Sequence, residues 1–187
     1  MVFKPNDEQK KVAKIIWDIL ISFGYNEISA GAMLGVIQFE SQMNPGQPEI
    51  GGGGGYGLIQ WTPKENLYLQ GSQLGISKEE CETAEGQSKI IAQGDKTGQW
   101  LTGADTRYGT LVTVPLMLDK FKKTKDIDAG VENFVAHFAR PQLGNTHMLE
   151  RKESAKVYYQ LFTGSPPTTG GGSTTKVITE VYLDNFL

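Results

Sequence analysis

An all-α domain is what this sequence predicts, with at most a very small β element around the 44–62 loop, and three observations carry that reading. Apolar residues recur at spacings of three and four through several segments before residue 162. Residues that cap helices stand directly before those segments. The one stretch with alternating β-branched character, KVITEVYLDNFL at 176–187, lies beyond the periodic region.

The first helix spans 7–23, where Val12, Ile15, Ile16, Ile19 and Phe23 form a core-facing stripe that Gly24 ends. Asn26 is placed to cap a second helix from Glu27 to Gln42, which Asn44 and Pro45 would stop. Ser77 followed by Glu80 makes a capping box and opens a third helix through SKEECETAEGQSKIIAQ. Segments 126–138 and 147–162 complete the set, with Phe134, Phe138, Tyr158 and Leu161 turned inward. The run ENLYLQGS at 65–72 looks like a site used for removing purification tags, but it sits among apolar residues and reads as native.

Domain organisation follows from composition. A single domain is expected over 1–162, then a Pro, Gly, Ser and Thr linker over 163–175 that cannot form a core. Residues 176–187 are too few to fold alone and read as a docking strand or the start of a further module. Hydrophobic residues make up 39% of the 187 and charged residues 21%, a balance that suits a soluble globular protein. Eighteen Lys and Arg against 21 Asp and Glu form no dense basic stripe, so nucleic acid is not an expected partner. No apolar run is long enough to span a bilayer, and MVFKPNDEQKK lacks the apolar core of a signal peptide.

Glu40 breaks the second helix's pattern. Its helical neighbours are Ile37, Val36, Met33 and Ala32, all apolar, so a carboxylate lies beside the buried stripe near the helix C-terminus. Desolvation and the negative end of the helix dipole would both keep a proton on it, and a protonated Glu can donate to a leaving oxygen. Beyond it come a polyglycine run at 51–55 and then GYGLIQWTP, which supplies Tyr56, Gln60 and Trp61. An acid, a glycine wall, an amide and two aromatics suit a sugar-binding cleft, because sugar rings offer apolar faces and hydroxyls together. Trp61 reads equally well as core packing.

GAMLGVIQFESQMNPG followed by GYGLIQWTP resembles the phage tail-associated lysozyme family, and more distantly the goose-type lysozymes and lytic transglycosylases. The resemblance is strongest over 26–63. It implies a lysozyme-like fold, with Glu40 as catalytic acid, Ser41 supporting it and Gln60 lining the cleft. It also implies action on the glycan strands of bacterial peptidoglycan, from a virion in company with other tail proteins. The family's aromatic-Glu-Arg-Pro motif is matched here by HFARP at 137–141, where Ala139 replaces the acid.

Hydrolysis usually needs a second carboxyl group, and Glu49 in the loop is the candidate, ahead of Asp105 and Glu150. A lytic transglycosylase needs none, because the sugar's own hydroxyl attacks to give an anhydro product. A non-catalytic glycan-binding module is the remaining alternative. Cys81, the sole cysteine, lies among glutamates that disfavour a thiolate nucleophile. His137 and His147 are ten apart and fit no zinc-binding spacing, so neither metal nor organic cofactor is expected.

Overall fold

The computed structural model describes residues 3–49 and 52–167. The expected stub at 176–187 and most of the expected linker lie outside them. Eight α-helices occupy the described residues: α1 (Asp7–Ser22), α2 (Glu27–Ser41), α3 (Glu65–Gln73), α4 (Lys78–Cys81), α5 (Ala84–Ile91), α6 (Leu118–Phe121), α7 (Ile127–Phe134) and α8 (Met148–Thr163). The β content among the described residues is two isolated antiparallel bridges, Pro48 with Tyr56 and Tyr56 with Trp61, inside the loop where a small β element is expected.

In α1 a complete capping box joins Asn6 and Gln9, each accepting from the other's backbone N–H at 2.9 Å. Its buried face is Ala13, Ile16, Trp17 and Leu20, one residue along from the predicted stripe. The large indole of Trp17 packs 5.1 Å from the Phe162 ring and turns the helix that way, leaving Val12, Ile15 and Ile19 half-buried. Gly24 follows with φ of 83°, the left-handed turn that ends the helix.

Helix α2 is buried on every side from Ser29 to Gln38, so it is the central rod of the core and not a helix with one apolar stripe. It packs against α8, α7 and α1. The contact with α8 depends on Gly35, where an added Cβ would fall 2.3 Å from the Arg151 carbonyl oxygen and 2.5 Å from Ala155 Cβ. One turn earlier, a Cβ at Gly31 would sit 3.0 Å from that of Tyr159. Two glycines four apart therefore let α8 lie close against α2.

The single helix predicted from Ser77 is in fact two. Ser77 caps α4 through the Glu80 N–H, but Thr83 then accepts from Gly86 N–H at 3.0 Å and starts α5 afresh. Gly86 fits because a Cβ there would lie 2.0 Å from the Glu80 carbonyl oxygen. ENLYLQGS forms most of α3 and buries Leu67, Gln70 and Gly71. Cys81 is buried against it, and burial, reinforced by Glu80 and Glu82, pushes its thiol up, away from nucleophile chemistry.

The predicted 126–138 helix is α7 followed by one π-helical turn, Val135–Ala139. Phe134, Phe138 and Tyr158 are fully buried, whereas Leu161 is only half-buried. Rings of Trp100, Phe121, Phe134 and Phe138 run in sequence at centroid separations of 4.9, 6.0 and 4.8 Å. His137 joins this layer, stacked on Trp100 with both ring nitrogens on carbonyls of Leu101 and Thr113. It is a core residue that holds the 101–113 segment.

Candidate active-site groove

The end of α2, the 47–62 loop, Gln99 and the segment after the π-turn enclose a groove of about 910 Å³. That volume suits a ligand of several rings. Glu40 lines it from the last turn of α2, with 15% of its side chain exposed. The four apolar neighbours predicted for it are all fully buried. They are not its only company.

Arg151, 1% exposed, places Nη2 2.8 Å from Glu40 Oε1. The apolar cage inferred from sequence is thus open on one side to a guanidinium. Arg151 is fixed by its own contacts: Nε donates to the Thr146 carbonyl at 2.7 Å, and the guanidinium lies 4.6 Å from the Phe39 ring centroid. Phe39 in turn stacks on His147 at 4.7 Å, and both rings line the groove. Sequence reading missed Arg151, although Arg151, Ser154, Ala155 and Tyr158 form a buried stripe at helical spacing.

The other predicted residues separate. Ser41 is buried and donates its hydroxyl back to Ile37 O at 3.1 Å, a helix contact and not a hydrogen bond to Glu40. Gln60 lines the groove with φ of 55°, and its Nε2 donates to Gln47 O and Gly57 O at 3.1 and 3.0 Å. Trp61 forms part of the wall but is 3% exposed, with its indole N–H on Gln70 Oε1 at 3.0 Å. Core packing, one of its two readings, describes it better than a stacking platform. Tyr56 lies outside the groove lining. Its hydroxyl is drawn to Glu82, which also receives the Tyr68 hydroxyl and the Lys64 ammonium, the latter at 2.9 Å.

Glu49 lines the groove, and with Glu40 it supplies the two carboxylates of the lining among the described residues. Asp105 is occupied by Arg107, and Glu150 lies 3.7 Å from His147 outside the lining. The glycine loop is tied down through Glu49 itself. Its backbone N–H donates to Gly55 O and its Oε2 accepts from Gly55 N–H, both at 2.8 Å. A Cβ at Gly53 would come within 2.4 Å of both carboxylate oxygens.

A second staple, also missed, is the buried Gln87. Its Oε1 accepts from Leu58 N–H at 2.8 Å, while Nε2 donates to the carbonyls of Pro45 and Cys81 at 2.8 and 3.0 Å. Gly57, with φ of 78°, is required where the loop passes it, since a Cβ would meet Gln87 Oε1 at 2.6 Å. Ala139 also lines the groove, so the position that carries an acid in the resembling motif faces the cavity here as a methyl group.

A family model for phage tail lysozyme matches residues 11–162, which takes in every helix that shapes the groove. The chain belongs to the phage tail lysozyme family. Its similarity to morphogenesis protein 1 of Bacillus phage B103 is 25% identity over 160 residues, covering 83% of this chain and 40% of that protein. The chain thus spans less than half the length of this relative. Membership of the phage tail lysozymes accounts for the helix-rich, lysozyme-like fold, and no helix among the described residues is long and apolar enough to cross a membrane.

Proposed function

We propose that this tail lysozyme is a muramidase that cleaves the β-1,4 bond between N-acetylmuramic acid and N-acetylglucosamine in bacterial peptidoglycan. The observation that carries the reading is Glu40, a carboxyl group at the end of a buried helix, on a groove large enough for sugar rings and backed by Arg151. In its protonated form Glu40 gives its proton to the glycosidic oxygen as the bond to C1 breaks, and the carboxylate this leaves is the ion-pair partner of Arg151. Negative charge grows on Glu40 as the proton leaves, and the Arg151 guanidinium is already in place to receive it. Water adds to C1 and passes its proton to Glu49, the other carboxylate of the lining.

The test is Glu40→Gln. Clearing of purified cell walls falls at least ~100-fold while the melting curve and glycan binding persist, as removal of a general acid requires. Unchanged clearing removes Glu40 from the mechanism. Loss of clearing by Glu40→Gln also separates the enzyme from a glycan-binding module, in which the substitution would have nothing to abolish.

Two observations favour a second reading, the lytic transglycosylase. Glu49 Oε2 is held by Gly55 N–H, and Ala139 contributes no acid. In that chemistry the sugar's own hydroxyl attacks C1 and Glu40 takes up its proton. Mass spectrometry distinguishes the products, a reducing end from hydrolysis or a species lighter by one water. The family and the name of the phage B103 relative support a virion-borne protein, and the role that follows from a muramidase carried there is local opening of the wall during genome entry, alongside other tail proteins.

A further inference from the structure

Three arginines occur in the chain, and two have carboxylate partners: Arg107 with Asp105, and Arg151 with Glu40. Arg140 has none among the described residues, yet it is half-buried and lines the groove. Its position is firmly set. The backbone at Arg140 adopts φ of 49°, its N–H closes the π-turn on Val135 O at 2.8 Å, and Nη1 donates to Gln99 O and His137 O, both at 2.7 Å.

These contacts use one end of the guanidinium. Nε and Nη2 have no protein hydrogen-bond partner among the described residues, and they form the edge whose two parallel N–H bonds match the two oxygens of a carboxylate. Burial pulls the guanidinium's proton affinity down, and the Tyr108 phenol is what opposes it. A partly desolvated cation resting on neutral carbonyls has unmet electrostatic demand, and an incoming anion answers it. Among the described residues no lysine lines the groove, and Arg151 is committed to Glu40, so Arg140 is the lining arginine left to meet an anion.

We propose that Arg140 is a specificity-determining anion subsite that takes a free carboxylate of the peptide stem carried by N-acetylmuramic acid. This rests on the peptidoglycan reading of the groove. A neutral glycan such as chitin offers no such group, so the subsite would discriminate in favour of stem-bearing wall over plain β-1,4 glycan.

The probe is a peptidoglycan disaccharide-tetrapeptide, N-acetylglucosaminyl-N-acetylmuramic acid with its stem. It lacks the scissile bond and so binds the wild-type protein without being cut. Its affinity is compared by calorimetry with that of the same molecule after conversion of the stem carboxylates to methylamides. Wild type prefers the free acid by about tenfold or more, the scale of a charge-assisted pair. Arg140→Gln brings the ratio near one, and Arg140→Lys, which keeps the charge but loses the fork, falls between. Equal affinity of wild type for the two probes overturns the proposal, as does an undiminished preference in a folded Arg140→Gln, and so does failure to bind either probe. Wall clearing is measured in parallel. Clearing without carboxylate preference refutes the subsite alone, and carboxylate preference without clearing refutes the muramidase reading alone.

Discussion

Arg151 and Glu40 form an ion pair of 2.8 Å at the edge of the groove, between a residue 1% exposed on α8 and one 15% exposed at the end of α2. The two are brought together by Gly35, whose missing side chain is what allows the backbone of Arg151 against α2. Geometry at the acid is therefore set by a helix crossing far from it in sequence.

Arg151→Met leaves the Glu40 carboxylate partly buried without its cation. Removing one member of a buried pair costs about 3–5 kcal/mol, and partial exposure of Glu40 puts the expected loss toward the lower end. Wall clearing should fall by about 100-fold through misplacement of the acid. Arg151→Lys should restore a part of both. Urea unfolding and clearing rates measured together check this, and unaltered clearing by a folded Arg151→Met shows that Glu40 does not depend on its partner.

Gly35→Ala places a methyl group 2.3 Å from a carbonyl oxygen, and backbone cannot rotate aside as a side chain can. The helices must separate. Overpacking of this kind costs roughly 1–3 kcal/mol or more, and the separation carries Arg151 away from Glu40. A lowered urea midpoint accompanied by reduced clearing is the expected result. Gly24→Ala, where a Cβ has nothing within 4 Å, serves as a comparison that strains only the local backbone.

These residues show what was legible in the sequence. Asn26 and Ser77 announce helix starts because capping is a local hydrogen bond between residues three apart. Glu40 stood out because its neighbours within one helix are all apolar. Arg151 did not, because in LERKESAK it looks like another solvated cation, and only the α2–α8 crossing reveals its role. Residue type points Tyr56 to the cleft and leaves Trp61 open between cleft and core. The structure ties Tyr56 to Glu82 outside the lining and keeps Trp61 in the groove wall with its indole on Gln70, partners that no local pattern connects to them.

Gln87→Met removes the staple beneath the loop that carries Glu49. It strands the Leu58 N–H and the Pro45 and Cys81 carbonyls, each costing about 1–3 kcal/mol where it stays dry. The 45–58 segment should then become more open to proteolysis, and clearing should drop with Glu40 and Arg151 intact. Resistance of this segment equal to wild type would show that the Glu49–Gly55 bonds and those of Gln60 to Gln47 and Gly57 hold the loop without Gln87.

Acid should loosen the wall on the far side of that loop. Burial would raise the Glu82 carboxyl, but hydrogen bonds from Tyr56, Tyr68 and Lys64 outweigh it and hold the group at about 2, against 4.5 for an unperturbed glutamate. A folded-state value below the unfolded one means the stabilisation is fully present above about pH 4.5 and is lost as pH falls toward 2. The urea midpoint of wild type should decline across that window more steeply than that of Glu82→Gln. Because about a third of the Glu82 side chain is exposed, solvent screening makes the difference modest. Parallel declines in the two proteins would mean that other carboxylates account for the acid sensitivity.

The role of Glu49 decides between the two chemistries, and the loop makes the choice of variant matter. Glu49 acts on the loop through Oε2, which accepts from Gly55 N–H. Glu49→Gln keeps an oxygen for that bond and removes the ability to take a proton from water, whereas Glu49→Ala removes both. For a hydrolase in which Glu49 is the base, the Gln and Ala variants should both lose about 100-fold or more in rate. If Glu49 is only a loop residue, Gln should retain activity and Ala should lose part of it as the glycines loosen. Retained activity in Glu49→Gln with products lighter by one water would transfer the reaction to the single-acid mechanism, with Glu40 serving as both acid and base.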